Sequence, residues 1–100
     1  MLKMERTCNS LRCDVLLENK LIGHMEGVNL TQWFIKNKYI FKGSFAKFIT
    51  TDPEDCRPGI TVDIIFPDKN LIARSARVEW IRAPGKYGTF RAAKMEYYEI

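Results

Sequence analysis

The part of this chain from residue 59 onward constrains the fold most, because apolar and polar side chains alternate there between sharp turns. Residues 59–66 and 71–81 carry apolar side chains at a period of two, which is the spacing of strands that bury one face only. The side chains that share these faces are Ile60, Val62, Ile64 and Phe66 in the first stretch and Ile72, Ala76, Val78 and Trp80 in the second. The pattern predicts two half-buried strands, with Trp80 in the core.

Two short segments predict reversals of the chain after these strands. Residues 67–70 read Pro-Asp-Lys-Asn, and residues 83–88 read Ala-Pro-Gly-Lys-Tyr-Gly. Proline fixes φ, and Gly and Asn accept a positive φ, so each segment is typical of a tight turn rather than of a crossover helix. The strands on either side of each turn, including a third one after residue 88, are therefore expected to run antiparallel.

The length and composition of the chain predict one folded domain. A chain of 100 residues has room for a single hydrophobic core, and 46% hydrophobic with 28% charged residues is typical of a globular protein. No apolar run approaches the roughly 20 residues that span a bilayer, and the first residues lack the apolar stretch of a secretory signal. We therefore expect a cytoplasmic protein that does not insert into a membrane.

The cysteine and histidine residues argue against a metal site and against catalysis. Cys8, Cys13 and Cys56 are odd in number, which argues against a disulfide framework and predicts reduced thiols. A single histidine, His24, leaves no four-ligand zinc set, and its position between two glycines predicts a surface turn rather than a catalytic base. We find no acid/base dyad and no phosphate-binding glycine loop, so no enzymatic activity and no cofactor are expected.

The N-terminal half predicts further short strands. Residues 1–11 read as a polar arm, residues 12–18 as the first strand, and residues 21–25, 28–34, 39–44 and 45–51 as strand candidates. Residues 52–59 form the longest predicted loop, and residues 92–98 fit either a last strand or a short helix. Short strands joined by tight turns leave no long exposed edge when the sheet closes. The sequence thus predicts an all-β fold, a small closed antiparallel barrel of about six strands over residues 12–100.

A set of features is spaced along the chain in a recognisable order: Ser44, Gly59 fifteen residues later, the strand at residues 60–66, Val78-x-Trp80, Tyr87-Gly88 and the apolar Met95. Together they resemble the PilZ domain, a small bacterial β-barrel of six strands. The resemblance covers roughly residues 12–95. It implies a role in cyclic di-GMP signalling, as a receptor or as an adaptor that binds a protein partner.

The resemblance also implies a set of ligand-binding residues. PilZ domains hold cyclic di-GMP with an N-terminal Arg-x-x-x-Arg arm and a barrel motif (Asp/Asn)-x-Ser-x-x-Gly, because arginine contacts phosphate and guanine bidentately. The matching or substituting residues in this chain are Arg6 and Arg12 on the arm and Lys42, Ser44 and Lys47 on the barrel. A second placement of the barrel motif starts at Asn29 and ends on Phe34.

The motif substitutions predict weak binding of cyclic di-GMP. Cys8 stands where the first arm arginine belongs, and Lys42 and Lys47 replace the Asp/Asn and Gly of the barrel motif. Each lost charge-assisted hydrogen bond removes roughly 1.5–3 kcal/mol, and 1.4 kcal/mol is tenfold in affinity, so we expect a Kd of about 100 μM or weaker. Arg6, Arg12 and Ser44 also fit a solvated arm and a turn hydroxyl without any ligand.

Lysines between aromatic residues support an alternative function. Small barrels that bind single-stranded nucleic acid stack bases on exposed aromatic rings and contact phosphates with lysines. The residues of this kind are Trp33, Phe34, Tyr39, Phe41, Phe45 and Phe48, with Lys36, Lys38, Lys42 and Lys47. The same rings also fit a core and an edge. A net charge of only +4 argues against nucleic acid as the main partner.

Overall fold

Eight antiparallel strands make up the computed structural model, which describes residues 3–83 and 86–97, with side chains from Thr7 onward. The strands are β1 (Lys3–Leu17), β2 (Lys20–Ile35), β3 (Lys38–Phe45), β4 (Lys47–Thr50), β5 (Thr61–Phe66), β6 (Leu71–Ile81), β7 (Gly88–Ala92) and β8 (Lys94–Tyr97). Two single-turn 3₁₀ helices, Pro53–Asp55 and Pro67–Lys69, lie before and after β5. The described residues contain no α-helix.

Six of the strands form a closed ring. The hydrogen-bonded order is β1-β5-β6-β7-β3-β2, and β2 pairs with β1 to complete the circle. Strand β4 adds to β2, and β8 adds to β6. The prediction of an all-β fold with about six strands in a closed antiparallel sheet is therefore confirmed.

The first two hairpins are set by two-residue turns. Glu18 and Asn19 have φ angles of 52° and 66°, and Lys36 and Asn37 have φ angles of 50° and 62°. Two successive positive φ angles give the turn whose twist matches that of paired strands, and asparagine tolerates them well. These turns fix the register of β1, β2 and β3, on which the candidate site depends.

The N-terminal strands are longer than the sequence predicted. Most of the predicted polar arm, residues 3–11, belongs to β1, because β2 continues as its partner from Val28 to Phe34. The two separate candidates at residues 21–25 and 28–34 are one strand, with Gly27 at a φ of 61° as its irregular point. Of the two alternatives for the C-terminal segment, the structure has the strand through Tyr97. Tyr98 lies outside the described residues.

The core lies inside the ring and is built around phenylalanine. Phe45, Phe48, Phe66 and Phe90 are fully buried among Val, Ile, Leu and Met side chains. The ring centroids of Phe45 and Phe90 are 6.5 Å apart and those of Phe45 and Phe48 are 5.6 Å apart, within the range of favourable aromatic pairs. Phe41 packs against the edge of this core. Three of the aromatic residues that fitted either core or stacking surface are thus structural.

The prediction that Trp80 is a core residue is wrong. Its side chain is 49% exposed, although Val78 two positions earlier is completely buried. The pairing of β6 with β7 shifts register between these two residues, so Trp80 lies opposite Thr89 rather than continuing the inner face. A bulge adds one residue to one strand and turns the following side chains to the other face.

A second bulge in β6 changes which residues before it face the core, so that Leu71 and Ala73 point inward in place of the predicted Ile72. Leu71 and Ala73 are buried, whereas Ile72 is only partly so. Ser75 has a φ of 51°, and its backbone N–H donates a hydrogen bond of 2.9 Å to Asp63 Oδ1. The carboxylate thereby satisfies the backbone group that the bulge removes from the strand pairing.

Cys13 on β1 is deeply buried and forms no disulfide. Burial raises the pKa of the Cys13 thiol from 9.0 to about 12, and the hydrogen bond with Ser10 opposes that rise. A thiol with a raised pKa is a poor nucleophile, because the thiolate is the reactive form. Cys13 is therefore a packing residue.

The raised pKa of Cys13 predicts a loss of stability at alkaline pH. The folded protein keeps this proton up to about pH 12, while the unfolded chain releases it above pH 9.0. The unfolded state therefore binds fewer protons in that window, and the free energy of unfolding falls by about 1.4 kcal/mol per pH unit. Between about pH 8 and pH 10, which brackets the unfolded-state pKa, urea unfolding should show a fall of about 1.4 kcal/mol in the parent that is absent in Cys13→Ala. Equal slopes in the two proteins would contradict the assignment.

Candidate functional site

Three cations lie side by side on the outer surface of the ring. Lys42 on β3 is the direct partner of Arg91 on β7, and Arg91 is the direct partner of Arg77 on β6. All three side chains are exposed, because they alternate with the buried positions of their strands. We call these three residues the basic row. Like charges directly opposite each other destabilise a sheet, so this arrangement favours an anionic ligand that neutralises them.

A second row of polar side chains runs parallel to the basic row. Asn29 on β2 pairs with Ser44 on β3, Ser44 pairs with Thr89 on β7, and Thr89 pairs with Trp80 on β6. We call Asn29, Ser44 and Thr89 the polar row. The rows are two residues apart along each strand, a separation of about 7 Å. Amide and hydroxyl groups at that distance from the cations can donate and accept hydrogen bonds to the same ligand.

A tryptophan lies at each end of this face. On β2, Trp33 forms a cleft of about 160 Å³ together with Ile35, Ile40 and Lys42. On β6, the half-exposed Trp80 makes an edge contact with Tyr87, with ring centroids 5.9 Å apart and planes at 68°. Trp33 is partly buried. Aromatic rings that are at least partly exposed beside cations are the arrangement on which nucleobases stack.

The distribution of acids makes this face electrostatically positive. Residues 27–51 contain no Asp or Glu. This segment includes the C-terminal half of β2 and all of β3. Among the described residues, Glu79 is the acid that pairs with the basic row, with its Oε2 atom 3.9 Å from Arg91 Nε. Within the described part of the chain, Lys42 and Arg77 form no ion pair.

Arg74 on β6 shows the contrasting case of a neutralised cation. Its guanidinium lies 3.2 Å from Asp63 and 3.1 Å from Glu96, and Lys94 lies 2.8 Å from Glu96. Hydrogen bonds from Lys94 and then Arg74 lower the pKa of Glu96, which keeps this carboxylate charged. Asp63 and Glu96 are thus engaged by Arg74 and Lys94 and do not neutralise the basic row, whose one acidic neighbour among the described residues is Glu79.

The structure brings together two of the five ligand residues that the sequence predicted. Lys42 and Ser44 lie on the same outer face, one in the basic row and one in the polar row. Asn29, from the second placement of the barrel motif, is the direct partner of Ser44. Asn29 and Ser44 therefore lie side by side on β2 and β3, although each comes from a different placement of the motif.

The predicted residues Arg12 and Lys47 lie elsewhere, on either side of Glu26. Arg12 on β1 and Lys47 on β4 are both direct partners of Glu26 on β2. The Glu26 carboxylate also lies 3.0 Å from Nε2 of His24. Glu26 is three residues from Asn29 along β2, so this cluster begins about 10 Å from the polar row. A carboxylate between two cations makes the cluster a poorer site for phosphate than the basic row.

The remaining predicted residue, Arg6, has its backbone in β1 opposite Gln32. Its side chain lies outside the described residues. The prediction that Arg6 contacts a ligand therefore stays a prediction.

Sequence reasoning missed Arg77 and Arg91 as site residues. Each stands beside a buried residue, Val78 and Phe90 respectively, so alternation marks both as outward-facing. Alternation does not reveal which strands are neighbours or in which register they pair. The sequence signals that pointed to this side of the molecule were the motif positions of Lys42 and Ser44 and the absence of acids around them.

Two general features bear on what this face can bind. Among the described residues no group of three His, Cys, Asp or Glu side chains could hold a metal ion. The same part of the chain contains no helix long and apolar enough to cross a membrane.

Comparison with protein-family models, curated proteins and solved structures finds no match to this chain. The PilZ resemblance rests on the sequence motifs alone.

Proposed function

We propose that this chain is a PilZ-like binding module without catalytic activity, which holds cyclic di-GMP weakly on its outer face and relays that signal to a protein partner. One observation carries the proposal. Lys42 and Ser44, selected from the sequence by their motif positions, share a face with Arg91 and Asn29, which the sequence motif did not combine with them.

The chemistry of these residues suits a cyclic dinucleotide. Arg91 can make two parallel hydrogen bonds to a phosphate, and Lys42 adds a point charge beside it. The Asn29 amide and the Ser44 hydroxyl can pair with the donors and acceptors on a guanine edge. Two phosphates and two bases therefore find complementary groups within two adjacent rows of one sheet face.

Weak affinity follows from the exposure of the site. Solvent screens the charges of the basic row, and Glu79 reduces the potential beside Arg91. Arg12, the best match to an arm arginine, lies opposite Glu26. Glu26 is itself about 10 Å from the polar row. A receptor of this kind needs either a high ligand concentration or a protein partner that completes the site.

Exposed apolar side chains support the second part of the proposal, contact with a protein partner. Leu11 on β1 is 89% exposed, and Tyr97 on β8 is 67% exposed. Tyrosine is enriched among residues that anchor protein interfaces, and a leucine this exposed gains by being covered. Both residues leave the basic row accessible, since they lie on other strands.

Calorimetric titration with cyclic di-GMP tests the ligand part of the proposal. We expect a Kd on the order of 100 μM. The Kd should rise as salt is added, because the contacts are charge-assisted and exposed to solvent. GMP is the control ligand, with one phosphate and one base, and should bind more weakly. Absence of heat at millimolar cyclic di-GMP would overturn receptor function and leave the adaptor role. Sub-micromolar affinity lost in Arg12→Ala would place the site on the arm instead.

Single-stranded nucleic acid is a second candidate, favoured by the position of the two tryptophans. Trp33 and Trp80 lie at opposite ends of a face that contains the basic row, so a strand could run across β2, β3, β7 and β6. Such binding strengthens with oligonucleotide length and depends steeply on salt. An affinity for an oligothymidylate of about ten nucleotides that exceeds the affinity for cyclic di-GMP would favour this function.

A further inference from the structure

We infer that Trp80 is a stacking platform for a nucleobase whose phosphodiester is held by Arg91. The inference rests on the proposed function and deepens it by assigning the base and the phosphate to different strands of the same face. The shared ligand chemistry is a base joined to a phosphodiester, which a cyclic dinucleotide and a single strand both offer.

The first reason is that the fold turns Trp80 outward. Regular alternation after the buried Val78 would point this indole into the core, and the register shift between them instead leaves 49% of it exposed. An exposed tryptophan on a sheet loses the large hydrophobic gain of burial. A ligand that covers the ring would recover part of that gain.

The second reason is that Trp80 is held in place. The rings of Trp80 and Tyr87, of which Tyr87 is itself 44% exposed, make an edge contact with centroids 5.9 Å apart. A contact of this kind restricts the orientation of both rings. A fixed aromatic ring loses little conformational entropy when a base stacks on it.

The third reason is the spacing between Trp80 and the cations. Trp80 on β6 is the direct partner of Thr89 on β7, and Arg91 lies two residues after Thr89. Trp80 and Arg91 are therefore diagonal neighbours, about 7–8 Å apart. A base and the phosphate of its own nucleotide span a comparable distance. Ser44, on the other side of Thr89, can then hydrogen-bond the edge of the stacked base.

A cleft beyond Tyr87 provides room and additional charge. Ala46, Arg82, Ala83, Lys86 and Tyr87 line a surface cleft of about 460 Å³. Its two cations suit a second phosphate or the carbonyl oxygen of a base, and the described residues of its lining include no acid. The positive potential therefore extends from the basic row past the aromatic pair.

Tryptophan fluorescence tests the inference, because the chain has only two tryptophans. In Trp33→Phe the emission comes from Trp80 alone, and in Trp80→Phe it comes from Trp33 alone. We expect cyclic di-GMP to quench Trp80 with the same Kd that calorimetry gives, and to change the emission of Trp33 much less. Inorganic phosphate, which has no base, should leave the emission of both unchanged.

The affinity of Trp80→Leu gives a second readout. Loss of one stacked base should weaken nucleotide binding by about 5–150-fold, since such stacking is worth about 1–3 kcal/mol. Tyr97→Leu, which removes an exposed ring from β8 outside both rows, is the matched control and should bind nearly as the parent does. Both variants should retain the parent melting temperature within a few degrees, because Trp80 and Tyr97 lie outside the buried core.

Separate outcomes identify which proposal fails. Heat from cyclic di-GMP with no change in Trp80 emission and parent affinity in Trp80→Leu would overturn the stacking role and leave the proposed function standing. Quenching of Trp80 by oligothymidylate but not by cyclic di-GMP would support stacking and overturn the choice of ligand. No response of Trp80 to any nucleotide would overturn the inference.

Discussion

Replacing Phe90 by alanine is expected to lower the free energy of unfolding by about 3–5 kcal/mol, the usual cost of removing a fully buried phenylalanine. Phe90 lies on β7 opposite Val78 and Gly43, and its ring packs 6.5 Å from that of Phe45. A Cβ atom at Gly43 would collide with the Phe90 ring, which shows how closely β3 approaches this side chain. Neighbouring strands on both sides thus prevent the cavity from collapsing.

Trp80→Ala is the matched control for Phe90→Ala, because it removes a larger aromatic ring from the neighbouring strand. Its side chain is half exposed, so we expect a loss of about 1 kcal/mol or less. Urea unfolding of both variants at neutral pH provides the measurement. A loss in Trp80→Ala as large as that in Phe90→Ala would show that the indole is buried, as simple alternation along β6 predicted.

The sequence predicts the strands and turns of this fold well because both signals are local. Period-two alternation is set by the pleat of a strand, and it placed β5 and most of β6 correctly. Turns depend on which residues accept a fixed or positive φ, and Asn19, Asn37 and Asn70 all adopt one. Closure into a ring then follows from the need to pair the strand edges.

The positions of the bulges could not be predicted in the same way. A bulge inserts one residue into one strand and leaves the composition of both strands unchanged. Ser75 and Trp80 follow two such irregularities, and each reversed the face assigned to nearby residues. The stabilising contact at Ser75 comes from Asp63 on another strand, so the cause of that bulge is not local in sequence.

Only part of the candidate site could be predicted from the sequence, because the pairing of distant strands is not local. Motif spacing selected Lys42 and Ser44, and the absence of acids around them indicated a positive side of the molecule. Arg91 joins them only through the register of β3 with β7, which are far apart in the chain. The arm motif selected Arg12 and the barrel motif selected Lys47, but Glu26 of β2 lies between them.

The double variant Lys42→Gln, Arg91→Gln is expected to abolish measurable binding of cyclic di-GMP. Each charge-assisted hydrogen bond contributes about 1.5–3 kcal/mol, so each substitution should weaken binding at least about tenfold. From a parent Kd of about 100 μM, two such losses move the affinity to about 10 mM or weaker. Removing two adjacent like charges should leave the melting temperature unchanged or slightly raised, because the partners repel each other across the strands.

Lys47→Gln is the matched control for this variant, because it removes the same kind of charge from an exposed strand position. Lys47 lies opposite Glu26 and outside both rows, so its loss should change the affinity less than about twofold. Glu79→Gln, which removes the acid 3.9 Å from Arg91, should tighten binding. A loss in Lys47→Gln equal to the loss in the double variant would mean that only the net charge of the protein matters. Unchanged binding in the double variant would move the ligand away from the basic row, and Arg12 would become the residue to test next.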